Sequence, residues 1–150
     1  MKKEYITHSP HATRLLAQKI AREVQKKEEG PIIFALIGKL GSGKTTFLKG
    51  LALGFGVKKR ILSPTFVLMK RFKLSHSHFK NFYHIDCWRL GSPQDILGIG
   101  WESILSPKNI IAIEWADKIK EFLPKSTIEV KFKMVDPKTR KIIVKTGKTL

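Results

Sequence analysis

The chain has 150 residues, enough for one hydrophobic core but not two, and 42% hydrophobic content excludes disorder as the expected state. A formal net charge of +17 points to an acidic partner such as nucleic acid, or to a surface that simply carries lysine. A single cysteine, Cys87, excludes an intramolecular disulfide, and neither a signal segment nor an apolar run of ~20 residues occurs, so a cytoplasmic protein without membrane attachment is expected.

Tyr5-Ile6-Thr7 reads as a short edge strand. Ser9-Pro10 joins a favoured N-cap to a favoured first helical residue. Leu15, Leu16, Ile20, Ala21 and Val24 follow at 3.6-residue spacing and predict a helix to about residue 28. Gly30-Pro31 stops it. Ile32-Ile33-Phe34-Ala35-Leu36-Ile37 is a continuous apolar run, the mark of a parallel strand buried on both faces. Gly38-Lys39-Leu40-Gly41-Ser42-Gly43-Lys44-Thr45-Thr46 then satisfies G-x-x-x-x-G-K-[ST], the phosphate-binding loop. Phe47, Leu48, Leu51 and Ala52 continue at helical spacing towards the glycines at 54 and 56.

Past Lys58-Lys59-Arg60 and Ser63-Pro64-Thr65, residues 66–74 alternate like a strand, Ser75-His76-Ser77-His78 turns, and residues 81–87 complete an antiparallel hairpin. Gly91-Ser92-Pro93 opens a short helix over 94–97, and Trp101, Ile104 and Leu105 suggest another turn or two. Ile110-Ile111-Ala112-Ile113 is a second buried-strand run, ended by Glu114. A polar helix over 117–122 precedes Pro124. Strands over 128–135 and 141–146 flank Asp136-Pro137-Lys138-Thr139, which suits a type I turn. On the first of these, Lys131 and Lys133 should face away from Val130, Phe132 and Met134. There is no repeat or linker. The pattern predicts one domain over residues 1–150, an α/β P-loop NTPase with a mainly parallel sheet, antiparallel additions and flanking helices.

Strand, glycine loop and helix occur in the order that the phosphate loop requires. Glycines let main-chain N–H groups curl around a polyphosphate, and the helix N-terminus adds its dipole. Lys44 is placed to reach the terminal phosphates of a nucleoside triphosphate and Thr45 to offer its hydroxyl to Mg²⁺. The second side of a metal site needs an acid at the end of a buried strand. Glu114 and Asp86 are both candidates, with the division between metal and water left open. Thr65 lies where nucleotide-sensing loops often follow the phosphate-loop helix. His76, His78 and His84 lack zinc spacing. Asp95-Ile96-Leu97-Gly98 imitates a GTPase D-x-x-G without a guanine reader, and Thr146-Gly147-Lys148-Thr149 imitates half a phosphate loop by chance.

Taken together, the phosphate loop, Ser63-Pro64-Thr65-Phe66, His84-Ile85-Asp86-Cys87-Trp88-Arg89-Leu90 and Glu114-Trp115 resemble the bacterial TsaE (YjeE) family over roughly residues 9–140. That resemblance implies a Mg²⁺-dependent ATPase required for tRNA threonylcarbamoyladenosine modification, slow alone and stimulated by TsaD-like and TsaB-like proteins. It implies that Gly38, Gly41, Ser42, Gly43, Lys44, Thr45 and Thr46 hold the phosphates and that Thr45 and Glu114 hold Mg²⁺. Asp86 would act in hydrolysis, Thr65 in a switch-like loop, and Ser9, Pro10 and Arg140 are loose matches near the nucleotide. Lys39, the surroundings of Trp101-Glu102 and the net charge depart from the family pattern. Two other readings of the loop stay open, a small-molecule kinase and a basic RNA-binding module with structural nucleotide. Contact with tRNA, direct or indirect, is open too.

Overall fold

The apolar run at 32–37 forms the strand on which the fold is hung. In the computed structural model, which describes residues 1–27, 29–59, 61, 68–75 and 78–147, it is β2 (Ile32–Ile37). The other strands are β1 (Lys2–Thr7), β3 (Met69–Lys73), β4 (Asn81–Asp86), β5 (Asn109–Glu114), β6 (Ile128–Asp136) and β7 (Thr139–Lys145). They make one seven-stranded sheet in the order β1-β7-β6-β2-β5-β4-β3. β6, β2, β5 and β4 pair parallel, and β1, β7 and β3 add antiparallel edges. Leu36 and Asp86 both lie opposite Glu114, so β2, β4 and β5 end together at one edge of the sheet. Ligands of open α/β sheets bind outside such carboxyl ends.

Both faces of the parallel centre are covered, which is why its strands read as unbroken apolar runs. Ile32, Phe34, Leu36, Phe82, Ile110 and Ala112 pack under α1 (Pro10–Lys27) and α2 (Lys44–Gly54). Ile33, Ala35, Ile85, Cys87, Ile111 and Ile113 face α3 (Trp101–Ile104) and two 3₁₀ segments, Pro93–Ile99 and Ala116–Phe122. The Ser9 hydroxyl accepts the Ala12 N–H at 3.0 Å, so Ser9-Pro10 starts α1 as expected. Ser92 and Asp95 cap one another, which accounts for the D-x-x-G resemblance as a helix start. Lys148 and Thr149 of the other imitation lie outside the described residues.

Several boundaries differ from expectation. The strand foreseen over 66–74 is described from Met69, residues 66 and 67 lying outside the described set. The helices foreseen near 94–97 and 117–122 are 3₁₀ segments, a choice that hydrophobic spacing over so few residues does not encode. Alternation groups Met134 with Val130 and Phe132, yet it is exposed. Beyond Phe132 every residue of β6 is exposed, and the β6–β7 pairing has a register shift between Met134 and Asp136. Lys131 and Lys133 face solvent as expected.

The contact between α1 and α2 depends on small residues. A Cβ on Gly50 would stand 2.4 Å from the Arg14 carbonyl oxygen and 2.7 Å from Ala17 Cβ. At an exposed helical site Gly→Ala stabilises by about 0.5–1 kcal/mol. Here Gly50→Ala should instead destabilise by about 1–3 kcal/mol, because the helices must separate to admit the methyl. Chemical denaturation measures this, and unchanged or greater stability would contradict the packing.

Candidate functional site

Between the end of β2 and the first residue of α2, Gly38 to Gly43 fold back over the strand end. Gly41 and Gly43 take φ of 78° and 105°, the left-handed region open to glycine. A Cβ on Gly38 would stand 2.6 Å from Ser42 Oγ and 3.1 Å from Phe132 Cβ, so this glycine answers close approach. α2 opens with no side-chain cap and no acid in its first turn. Its N–H groups and dipole are thus left to an anion. The Ser42 hydroxyl is buried without a hydrogen-bond partner among the described residues. A glycine cradle with an orphaned hydroxyl at a helix start is a donor set that fits a polyphosphate.

Lys44 is 5% exposed and its ammonium donates to the carbonyls of Gly38 and, at 2.9 Å, Lys39. It also lies 4.1 Å from the centre of the Trp115 ring. Burial lowers its pKa from the ordinary value, partly opposed by Glu114, Asp117 and Asp86. Trp115 has φ 57°, the one non-glycine residue with positive φ among those described. This conformation turns the chain sharply off β5 and aims the indole under Lys44. Trp88 packs on the same ring, with centroids 4.5 Å apart.

Glu114 ends β5 with 4% exposure. Its Oε1 accepts the Thr45 hydroxyl at 2.8 Å and its Oε2 lies 2.7 Å from His84 Nε2. The metal pair expected from sequence is thereby brought into contact. Burial alone would raise the Glu114 pKa, but His84, the Thr45 hydroxyl and the Lys44 charge together hold it below the ordinary 4.5. Asp86 lies beside Glu114 in register, half-buried, with Oδ1 accepting the Trp88 N–H at 3.0 Å.

These groups line a cleft of about 420 Å³. Gly41, Gly43, Lys44, Thr45 and Thr46 line it together with Asp86 and Glu114. Ser9 and Pro10 at the start of α1 and Arg140 in β7 line it as well, so the three loose matches fall at the same site. Arg140 Nη2 donates to the Gly41 carbonyl at 3.2 Å and Nη1 to the carbonyls of Asp136, Pro137 and Thr139. The guanidinium thus ties the β6–β7 turn to the loop. Thr65, with Ser63-Pro64, lies outside the described residues.

A family profile described as "Threonylcarbamoyl adenosine biosynthesis protein TsaE" matches residues 7–142. The chain belongs to the TsaE family. A Treponema pallidum protein described as tRNA threonylcarbamoyladenosine biosynthesis protein TsaE is 36% identical over 117 residues, 78% of this chain and 83% of the relative. A Rickettsia bellii protein of the same description is 37% identical over 136 residues, 90% and 89% of the two chains. The Bacillus subtilis TsaE protein is 29% identical over 136 residues, 91% and 80% of the two. Among solved structures, Bacillus subtilis YdiB superposes with a TM-score of 0.71 at 26% identity, covering 97% of this chain and 86% of that one. The fold is of the P-loop NTPase type, with the expected mostly parallel sheet. No helix among the described residues is long and apolar enough to cross a membrane.

In this TsaE-family chain two contributors escaped the sequence reading. His84 enters the sequence reading as a residue without zinc spacing and as a member of the resemblance segment with no role of its own, and its place two residues before Asp86 on the same strand face is the available signal. Phe132 packs against Gly38 and edge-on against Phe47 at 5.3 Å, a role that only the pairing of β6 with β2 reveals. Cys87, whose thiol burial first of all pushes up to about 12, stays protonated and takes no part.

The lowered Glu114 pKa fixes the sign of a pH effect. Its ionised form contributes stability fully above the ordinary 4.5, and this is lost as pH falls through the lower folded value. In metal-free buffer, wild type should therefore lose stability relative to Glu114→Gln on acidification below 4.5. A stability difference independent of pH across that window would contradict the buried, ionised carboxylate.

Proposed function

We propose that the chain binds ATP with Mg²⁺ and hydrolyses its terminal phosphoanhydride in tRNA threonylcarbamoyladenosine biosynthesis, acting with TsaD-like and TsaB-like proteins. The observation that carries this reading is the Thr45–Glu114 hydrogen bond, 2.8 Å long, at the mouth of a phosphate loop in its required setting. Family membership and what the relatives are described as doing support the pathway.

The roles follow from what each group can donate. The N–H groups of the loop and the α2 terminus bind phosphate oxygens, and Ser42 adds its unpartnered hydroxyl. Lys44 trades the Gly38 and Lys39 carbonyls for phosphate oxygens that carry full charge. Thr45 and Glu114 are the residues to hold Mg²⁺, which supplies neutralisation of charge on the phosphates. Asp86, anchored through one oxygen to Trp88 N–H, keeps the other to orient the attacking water. Arg140 is committed to main-chain carbonyls and does not act as an arginine finger. A cation supplied by the partner completes the compensation of charge on the leaving phosphates. Slow hydrolysis alone and faster hydrolysis beside a partner are the consequence.

Phosphate release from ATP, measured without any added acceptor, tests the proposal and separates it from the kinase reading. Wild type should be slow alone and faster with TsaD-like and TsaB-like proteins. Lys44→Ala should lower the stimulated rate by about 100-fold or more. Absence of stimulation would refute the partnership, and undiminished hydrolysis in Lys44→Ala would refute the site.

A further inference from the structure

His84 lies outside the phosphate loop, and no contact with a phosphate requires it. In the parallel pair β4–β5 it stands opposite Ala112, while Asp86 stands opposite Glu114. Residues 84, 86, 112 and 114 therefore share the face that α2 covers. The small Ala112 leaves space for the imidazole to lean diagonally towards Glu114, a reach within that of a long side chain. The imidazole is fully buried, and Nε2 meets Oε2 at 2.7 Å. The other oxygen of the same carboxylate takes the Thr45 hydroxyl at 2.8 Å. One oxygen is thus tied to β4 and the other to α2.

An ionised carboxylate only accepts hydrogen bonds, so Nε2 carries the hydrogen in this contact. Nδ1 has no hydrogen-bond partner among the described residues, which leaves Glu114 as the ring's described polar partner. A fully buried imidazole with so little polar company is costly as a mere space-filler, and an aliphatic side chain would fill the place at lower cost. Asp86 does not offer the same support, because its Oδ1 is engaged by the Trp88 N–H.

We propose that His84 is the positioning residue of the cation site: its Nε2–H holds the Glu114 carboxylate turned towards Thr45, so that hydroxyl and carboxylate stand ready as one ligand pair. It touches neither nucleotide nor metal and acts through Glu114 alone. This rests on the ATP–Mg²⁺ reading above. Outer partners of this kind commonly govern metal affinity by about 10–100-fold.

The test is binding of a fluorescent ATP analogue to the full chain, titrated with Mg²⁺ and repeated in EDTA. Wild type should bind more tightly as Mg²⁺ rises. His84→Asn, too short to reach Glu114, and His84→Phe, which fills space without a donor, should raise the half-effective Mg²⁺ concentration about 10-fold or more, with affinity in EDTA unchanged. His84→Gln, whose amide nitrogen can take the place of Nε2, should restore most of the wild-type response. A wild-type Mg²⁺ response in His84→Asn, or equal behaviour of the Gln and Asn variants, would overturn the proposal. Wild type without any Mg²⁺ effect would instead refute the ATP–Mg²⁺ reading itself. Should the variants not fold, ¹⁵N–¹H NMR of the wild-type imidazole decides: hydrogen on Nε2 is expected, and a bare Nε2 overturns the proposal.

Discussion

Glu114 is a carboxylate taken almost wholly out of water and kept charged, and the edge of the sheet is arranged around that demand. Burying an ionised group without partners costs several kcal/mol or more, so each oxygen must be met. One partner comes from the neighbouring strand, through His84, and the other from the helix that follows the phosphate loop, through Thr45. The carboxylate thereby couples β4, β5 and α2. Displacing any of them strands a buried charge. The apolar packing of β2 and β5 under α1 and α2 is what keeps those elements in register. Stability and site geometry are two consequences of the same packing.

The loop itself is held by a second set of contacts. Lys44 folds onto two carbonyls of its own loop and over Trp115, so its charge is solvated by the protein where water is scarce. Arg140 reaches from β7 to the Gly41 carbonyl, and Phe132 lies under Gly38. The antiparallel addition to the sheet is therefore structural support for the phosphate loop as well as an edge. The loop backbone is preorganised, which lowers what ordering must cost on binding.

The sequence made the centre of the fold legible for a physical reason. Strands buried on both faces need unbroken apolar runs, and a phosphate loop needs its glycines at fixed places. Ile32 to Ile37, Gly38 to Thr46 and Ile110 to Ile113 are such statements, and the structure follows them. Glu114 and Asp86 were legible because they end strands. Short helices were not, since four to seven residues carry too little periodicity to separate 3₁₀ from α. Met134 was misread because alternation says which face a residue takes, not whether anything covers that face. His84 and Phe132 were missed because their roles arise from strand neighbours about 30 and 94 residues away in sequence, Ala112–Glu114 and Gly38. Thr65 lies outside the described residues.

The central claim is that the loop, Lys44, Thr45 and Glu114 form one ready-made site for a triphosphate and its cation. A crystal structure with a non-hydrolysable ATP analogue and Mg²⁺ tests it most directly. The triphosphate should lie along Gly38 to Thr46, with Lys44 moved from its two carbonyls to phosphate oxygens and the cation beside Thr45 and Glu114. A nucleotide bound elsewhere, or Lys44 still on the carbonyls of Gly38 and Lys39 beside a bound triphosphate, would contradict the account.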